Sequence, residues 1–172
     1  MSPLWRDEIA IQSALTGHLV FTTVHANNVF DVLGRFTHMQ VDAYAFVSAL
    51  NGILAQRLVR VVCEQCARPI QPPLELLDQS GLLLPAVSQW QFRAGRGCAH
   101  CRGTGYKGRR AIGELLVLND ELREAIVARA PARRLKELAL AGGSKLIRTA
   151  ALELVRHGVT TLQEANRVTA LA

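Results

Sequence analysis

The 172-residue sequence predicts an α/β domain that carries a four-cysteine metal-binding insert and ends in a small helical subdomain. Three observations lead there. The run His18-Leu-Val-Phe-Thr-Thr-Val-His25 is apolar and β-branched and lies between helix-forming stretches, the pattern of a strand buried on both faces of a parallel sheet. All four cysteines fall into two C-x-x-C pairs, Cys63/Cys66 and Cys98/Cys101. After residue 118 the apolar residues recur at helical spacing, which makes the carboxyl-terminal end helical.

Composition narrows the function classes. With 49% hydrophobic and 20% charged residues the chain reads as globular. The net charge of +6 and pI near 9.7 invite an anionic partner. Aromatic residues make up only 5% and are not interleaved with the basic ones, so a base-stacking platform is absent and nucleic acid is not an expected partner. No apolar run approaches the roughly 20 residues that cross a bilayer. Met1-Ser-Pro-Leu-Trp-Arg-Asp-Glu8 lacks the basic start and apolar run of a signal peptide, which disfavours disulfides and leaves the cysteines available as thiolates.

Each element has its own signal. Glu8 to Leu15 holds good helix formers and is closed by Thr16-Gly17. After the run 18–25, Asn27 or Asn28 can cap a helix carrying Val29, Val32, Leu33 and Phe36. A second helix, from about Ala43 to Leu54, is apolar nearly all round and predicts burial. Gln56 to Val62 reads as a strand leading into the first cysteine pair, with Arg57 and Arg60 on opposite faces. Between the pairs, Pro73 starts a short helix that Gly81 seals, and its leucines are expected to pack over the metal turn. Past Cys101, glycines and the cations Arg102, Lys107, Arg109 and Arg110 form a tight basic turn. Ala111 to Leu118 reads as a strand. Asn119 caps a helix with Leu122, Ile126 and Val127, and Pro131 starts one with Leu135 and Leu138. Gly142-Gly143-Ser144 breaks the chain, and a stripe from Leu146 to Val155 ends at Gly158. Thr161-Leu-Gln-Glu164 is a capping box for a last helix with Leu162, Ala165 and Val168 buried.

The cysteines carry the most specific chemistry. Each C-x-x-C puts two sulfurs on one tight turn, and two such turns supply the four ligands of a tetrahedral zinc site. The 31 residues between Cys66 and Cys98 exceed the roughly 15 to 20 of a common zinc ribbon, so the intervening loop must carry structure of its own. A thioredoxin-type redox pair would explain one C-x-x-C and leave the other idle. His100 inside the second pair could compete as a ligand, whereas His38 and His157 carry no motif.

Taken together the motifs resemble the carboxyl-terminal part of the secretion ATPases that drive type II secretion and type IV pilus assembly, from about Glu8 to Ala170. Leu15-Thr-Gly-His-Leu-Val-Phe-Thr-Thr-Val-His25 resembles the family's histidine box. Ala55-Gln-Arg-Leu-Val-Arg60 is similar to the segment before its metal-binding subdomain, and Gly97-Cys-Ala-His-Cys-Arg-Gly-Thr-Gly-Tyr-Lys-Gly-Arg109 to its second cysteine knuckle. Glu114-Leu-Leu and Gly158-Val-Thr-Thr-Leu-Gln-Glu164 resemble its helical tail. The resemblance implies a remnant of a RecA-like ATPase core with the histidine box over 1–62, a tetracysteine subdomain over 63–110 and a helical subdomain over 111–172.

It also implies roles: His18 and His25 near the nucleotide, with His25 the candidate catalytic residue on the γ-phosphate side, and Cys63, Cys66, Cys98 and Cys101 on zinc. Arg57, Arg102, Lys107, Arg109 and Arg110 become interface candidates. The implied partners are other subunits of a hexameric cytoplasmic ring and the cytoplasmic part of an inner-membrane platform protein, which would hold the ring peripherally at the membrane. No G-x-x-x-x-G-K-[ST] loop occurs in the sequence, so ATP and Mg²⁺ are expected only in a complete subunit and hydrolysis is not expected from this chain alone. Arg6-Asp7 resembles an Arg-Asp pair of the family's acidic box, although ungapped alignment back from His18 places that pair at Ser2-Pro3. The alternative function is a zinc-dependent protein-interaction module, since Cys98-x-x-Cys-x-Gly-x-Gly105 also fits the repeat of J-protein zinc domains.

Overall fold

Among the described residues helices come first and last in chain order, and the strands of two antiparallel ribbons lie between them. The computed structural model describes residues 3–38 and 42–169, with the side chains of 3–7 and 36–38 outside the description, so the Arg6-Asp7 pair and the packing of Phe36 lie beyond it. In chain order the elements are α1 (Pro3–Leu15), α2 (Val29–His38), α3 (Ala43–Ala49), β1 (Gly52–Val62), β2 (Ala67–Pro69), α4 (Leu74–Gln79), α5 (Leu84–Val87), β3 (Arg93–Gly95), β4 (Tyr106–Val117), α6 (Asp120–Val127), α7 (Ala132–Ala141), α8 (Ile147–Arg156) and α9 (Leu162–Val168). β1 pairs with β4, and β2 with β3. The second ribbon is antiparallel, with Ala67 opposite Gly95 and Pro69 opposite Arg93. The first is antiparallel too, since Leu118 N–H donates to Asn51 at one end and Cys63 N–H to Gly105 at the other.

Packing groups these elements into two units, Met1–Ala55 with Glu114–Lys145 and Gln56–Gly113 with Leu146–Ala172. The segments 1–62, 63–110 and 111–172 follow motif order, and compactness divides the chain by a different criterion.

The first unit is built by amphipathic helices with local caps. Asn28 Oδ1 accepts the Asp31 N–H at 2.8 Å, Asp42 Oδ1 that of Ala45 at 2.7 Å, and Asn119 Oδ1 that of Leu122 at 2.9 Å. The apolar stripes of these helices meet in one core with Val29, Leu33, Phe46, Val47, Leu116, Leu122, Ile126 and Leu138. Two expectations fail in this unit. The helix predicted to reach Leu54 ends at Ala49, and β1 begins at Gly52, where an added Cβ would stand 3.0 Å from the Leu116 carbonyl. Pairing with β4 takes precedence over the helix propensity of Ile53-Leu-Ala55. Residues 18–25 form no strand and are not buried: Leu19 is 78% and Phe21 87% exposed. A strand needs at least one partner to take up its backbone hydrogen bonds, and among the described residues the two sheets are the ribbons β1-β4 and β2-β3, neither of which pairs with 18–25.

In the second unit α8 and α9 pack their stripes of Ile147, Ala151, Val155, Leu162 and Ala165 onto Val59 and Ile112 of the ribbon. Leu77 of α4 and Val87 of α5 join this core, with Trp90 and Phe92 against it. The leucines between the cysteine pairs therefore cover α8 and α9 and not the metal turn, whose buried cluster consists of cysteines. Pro73 precedes α4 and Gly81, at φ +68, ends it, with Leu82 N–H returning to the Leu77 carbonyl as a left-handed cap requires.

Candidate metal centre

The second cysteine pair sits in a loop whose two arms cross at paired glycines. A Cβ on Gly97 would stand 2.7 Å from the Gly103 carbonyl oxygen, and one on Gly105 2.5 Å from that of Gly95. Only glycine permits backbones to approach this closely, and Gly97, Gly103 and Gly105 also take positive φ. The two glycines before the knuckle thus meet the two after it in nested order, Gly97 against Gly103 and Gly95 against Gly105, and the sequence reading used only the second pair. The first pair follows β1 directly, and Cys66 N–H donates to the Cys63 carbonyl in the tight turn.

These two turns bring the four sulfurs within 4.8 Å of one another. Cys63 and Cys98 Sγ are 3.9 Å apart, Cys66 and Cys101 3.9 Å, and Cys98 and Cys101 3.7 Å. Zinc–sulfur bonds of about 2.3 Å at tetrahedral angles put sulfurs about 3.8 Å apart, so the set fits that ion. The described residues contain no other comparable cluster. Cys63, Cys66 and Cys101 are buried and Cys98 is half-buried.

The backbone favours thiolates here. Burial opposes ionisation of Cys101, yet the N–H groups of Cys98 at 3.2 Å and Gly105 at 3.3 Å point at its sulfur and pull its pKa down. Burial pushes the Cys66 thiol up, and hydrogen bonds with the neighbouring thiols add to this. A bound cation would offset the cost of further charges. His100 is exposed and outside the sulfur cluster.

A second polar cluster, which the sequence reading missed, ties β1 to α9. The sequence pattern makes Glu164 the returning half of a capping box. Thr161 Oγ1 does accept the Glu164 N–H at 3.1 Å, but the carboxylate turns elsewhere. It accepts from the Arg60 N–H at 3.0 Å, from Arg60 Nε and Nη2 at 3.0 and 2.6 Å, and from Arg167 Nε and Nη2 at 2.8 and 2.7 Å. Burial alone would raise the Glu164 pKa, and the Arg167 and then the Arg60 hydrogen bonds overturn that and lower it to about 2. The Arg60 guanidinium lies 4.2 Å from the Tyr106 ring centroid, and Tyr106 Oη is 2.7 Å from Thr161 Oγ1. The sequence reading placed Arg60 only on the strand face opposite Arg57, and Glu164 only in a capping box.

The remaining candidates are spread out. His18 and His25 are exposed in the first unit, with His18 Nδ1 3.2 Å from the Ser13 carbonyl oxygen. Arg57 is half-buried on β1. Arg102 is exposed in the turn after Cys101, at φ +53, whereas Lys107, Arg109 and Arg110 are exposed along β4. The four cations therefore do not share one turn. Arg109 and Arg110, as adjacent strand residues, leave on opposite faces. Basic residues outnumber acidic ones in the cysteine-bearing unit, and the reverse holds in the other.

Comparison with known proteins adds the lineage. A family described as "Type II/IV secretion system protein" matches residues 6–167. The type IV pilus assembly ATPase PilB of Thermus thermophilus is 45% identical over 157 residues, 91% of this chain and 18% of that protein. The type II secretion system protein E of Pectobacterium carotovorum is 39% identical, covering 94% of this chain and 32% of its own length, and the type II secretion system ATPase E of Vibrio cholerae is 38% identical with the same coverage. The chain thus spans 18% to 32% of the length of these curated relatives. A crystal structure of the pilus retraction motor PilT with bound ADP is similar over 99% of this chain and 38% of that one, with a TM-score of 0.65 at 20% identity, a likeness that shows the α/β fold. With its family match running almost from end to end, the chain belongs to the type II/IV secretion system protein family.

Proposed function

We propose that this chain is part of a cytoplasmic ATPase, hexameric in its complete form, that powers type II protein secretion or type IV pilus assembly. The family match over residues 6–167, together with relatives named as ATPases of both systems, carries this reading. Within it, the tetrad Cys63, Cys66, Cys98 and Cys101 holds a structural zinc. Residues 1–62 are the remnant of a RecA-like core, 63–110 the metal-binding subdomain and 111–172 the helical tail. The exposed apolar run 18–25 becomes a strand of that core when the rest of the sheet is present, which takes His18 and His25 to the nucleotide.

No described helix is long and apolar enough to cross a membrane, so attachment at the inner membrane would come through partners. The basic residues Arg57, Arg102, Lys107, Arg109 and Arg110 are the interface candidates toward a neighbouring subunit or the cytoplasmic part of a platform protein, and since Arg109 and Arg110 leave β4 on opposite faces they would meet different surfaces. ATP and Mg²⁺ belong to the complete subunit, because this sequence has no phosphate-cradling glycine loop with its lysine.

Two measurements test this. Calorimetric titration of the isolated chain with Mg-ATP is expected to be flat, and micromolar binding would refute the assignment of the phosphate site to another segment. In a complete subunit, Arg109→Glu with Arg110→Glu is expected to weaken ring assembly or partner-stimulated hydrolysis at unchanged zinc content. Survival of ring formation, stimulated turnover and export together would reduce the two arginines to solvated surface charges screened over about 8 Å.

A further inference from the structure

We propose that the four-cysteine centre is a conformational clamp: when it holds its metal, it fixes Gly105 and Tyr106 and so sets the position of the half-exposed guanidinium groups of Arg60 and Arg167. The inference rests on the reading of the cysteines as a metal site and goes beyond it by assigning the site an output.

The connection is short and passes entirely through the cysteine-bearing unit. Gly105 N–H donates to Cys101 Sγ at 3.3 Å, and its carbonyl accepts from Cys63 N–H at 2.9 Å, so one residue bonds to both cysteine turns. Gly105 also crosses Gly95 at a separation that leaves no room for a Cβ on either, so it has little freedom to shift while the tetrad is closed. Tyr106 is the next residue. Its ring stacks under Arg60 and its hydroxyl reaches Thr161 Oγ1 at 2.7 Å, the oxygen that also accepts the Glu164 N–H. Glu164 in turn grips Arg60 and Arg167, whose side chains are 45% and 57% exposed. Beyond Tyr106 this ionic cluster has a support that does not pass through the tetrad, the Thr160 hydroxyl donating to the Arg60 carbonyl at 2.7 Å. Loss of the metal is therefore expected to loosen the cluster without unfolding it. The buried core of Val59, Ala151 and Val155 contains no cysteine and should stay closed.

Amide hydrogen exchange on the full chain, zinc-loaded and after stripping with a chelator under reductant, reads this directly. Metal loss is expected to speed exchange at the Arg60 and Glu164 amides at least tenfold, with the Ala151 and Val155 amides changing less than twofold. In zinc-loaded Tyr106→Phe, the same two amides should exchange faster than in the parent at unchanged zinc stoichiometry, and stripping should add less than it does in the parent. Unchanged protection of Arg60 and Glu164 on stripping overturns the proposal, as does equal loss across the whole unit, which would make the centre a global staple. An equal response to stripping in Tyr106→Phe overturns the route through the tyrosine. Elemental analysis of the loaded sample separates all of these from failure of the metal reading itself, in which no zinc is bound at the outset.

Discussion

Replacing Cys66 by serine is expected to bring zinc from about one ion per chain to well below half, because a neutral hydroxyl supplies neither the charge nor the soft donor that the closed four-coordinate site needs. The effect is large since metal binding and local folding are one equilibrium in such sites, with apparent binding free energies of about 10 to 16 kcal/mol in small zinc-finger peptides. Here the loss is local. The core of the other unit, with Leu122, Ile126 and Leu138, includes no residue from 63–110, so α6 and α7 should keep their helical signal. Limited proteolysis should shift to the 95–105 loop, where Gly97 and Gly103 would no longer be held against each other. Elemental analysis of reductant-purified protein decides the matter. Absence of zinc in the unaltered chain, or full zinc in Cys66→Ser, would contradict the assignment.

Glu164→Gln is expected to destabilise the cysteine-bearing unit by about 3 kcal/mol at neutral pH, and the deficit should vanish in acid. The carboxylate is fully buried and receives five N–H donors from Arg60 and Arg167, and a neutral amide can neither balance two guanidinium groups nor accept at its nitrogen end. Both arginines are partly exposed, so the charges left behind are solvated and the loss stays near this value instead of reaching the upper range for breaking a fully buried pair. Since the folded pKa is depressed from 4.5 to about 2, the stabilisation is complete above the unfolded value and disappears as the pH falls from about 4.5 to about 2. Denaturant unfolding followed by Trp90 fluorescence in a Trp5→Phe background at pH 7 and at pH 2 tests both points. Equal midpoints for the parent and Glu164→Gln proteins at pH 7, or a gap that persists unchanged at pH 2, would refute the account.

Local signals in the sequence were sufficient wherever the physics is local. Caps at Asn28, Asn119 and Thr161, the proline before α4, the glycine after it and the stripes of α6 to α9 depend on neighbours three or four residues away, and each lies where the sequence places it. The two cysteine pairs were legible for the same reason, because each C-x-x-C is a short turn, and the fold brings their four sulfurs within 4.8 Å of one another. Tertiary structure alone decided what depends on distant partners. Residues 18–25 have strand composition, but a strand exists only beside another, and among the described residues none pairs with them. Helix α3 stops early because β4, far along the chain, takes up the backbone from Gly52 onward. Glu164 faced a choice between the backbone N–H of its own cap and two arginines, one of them 104 residues away. Several ion-paired bonds to two guanidinium groups outweigh one bond to a backbone N–H, and no local reading contains the approach of β1 that brings Arg60 within reach.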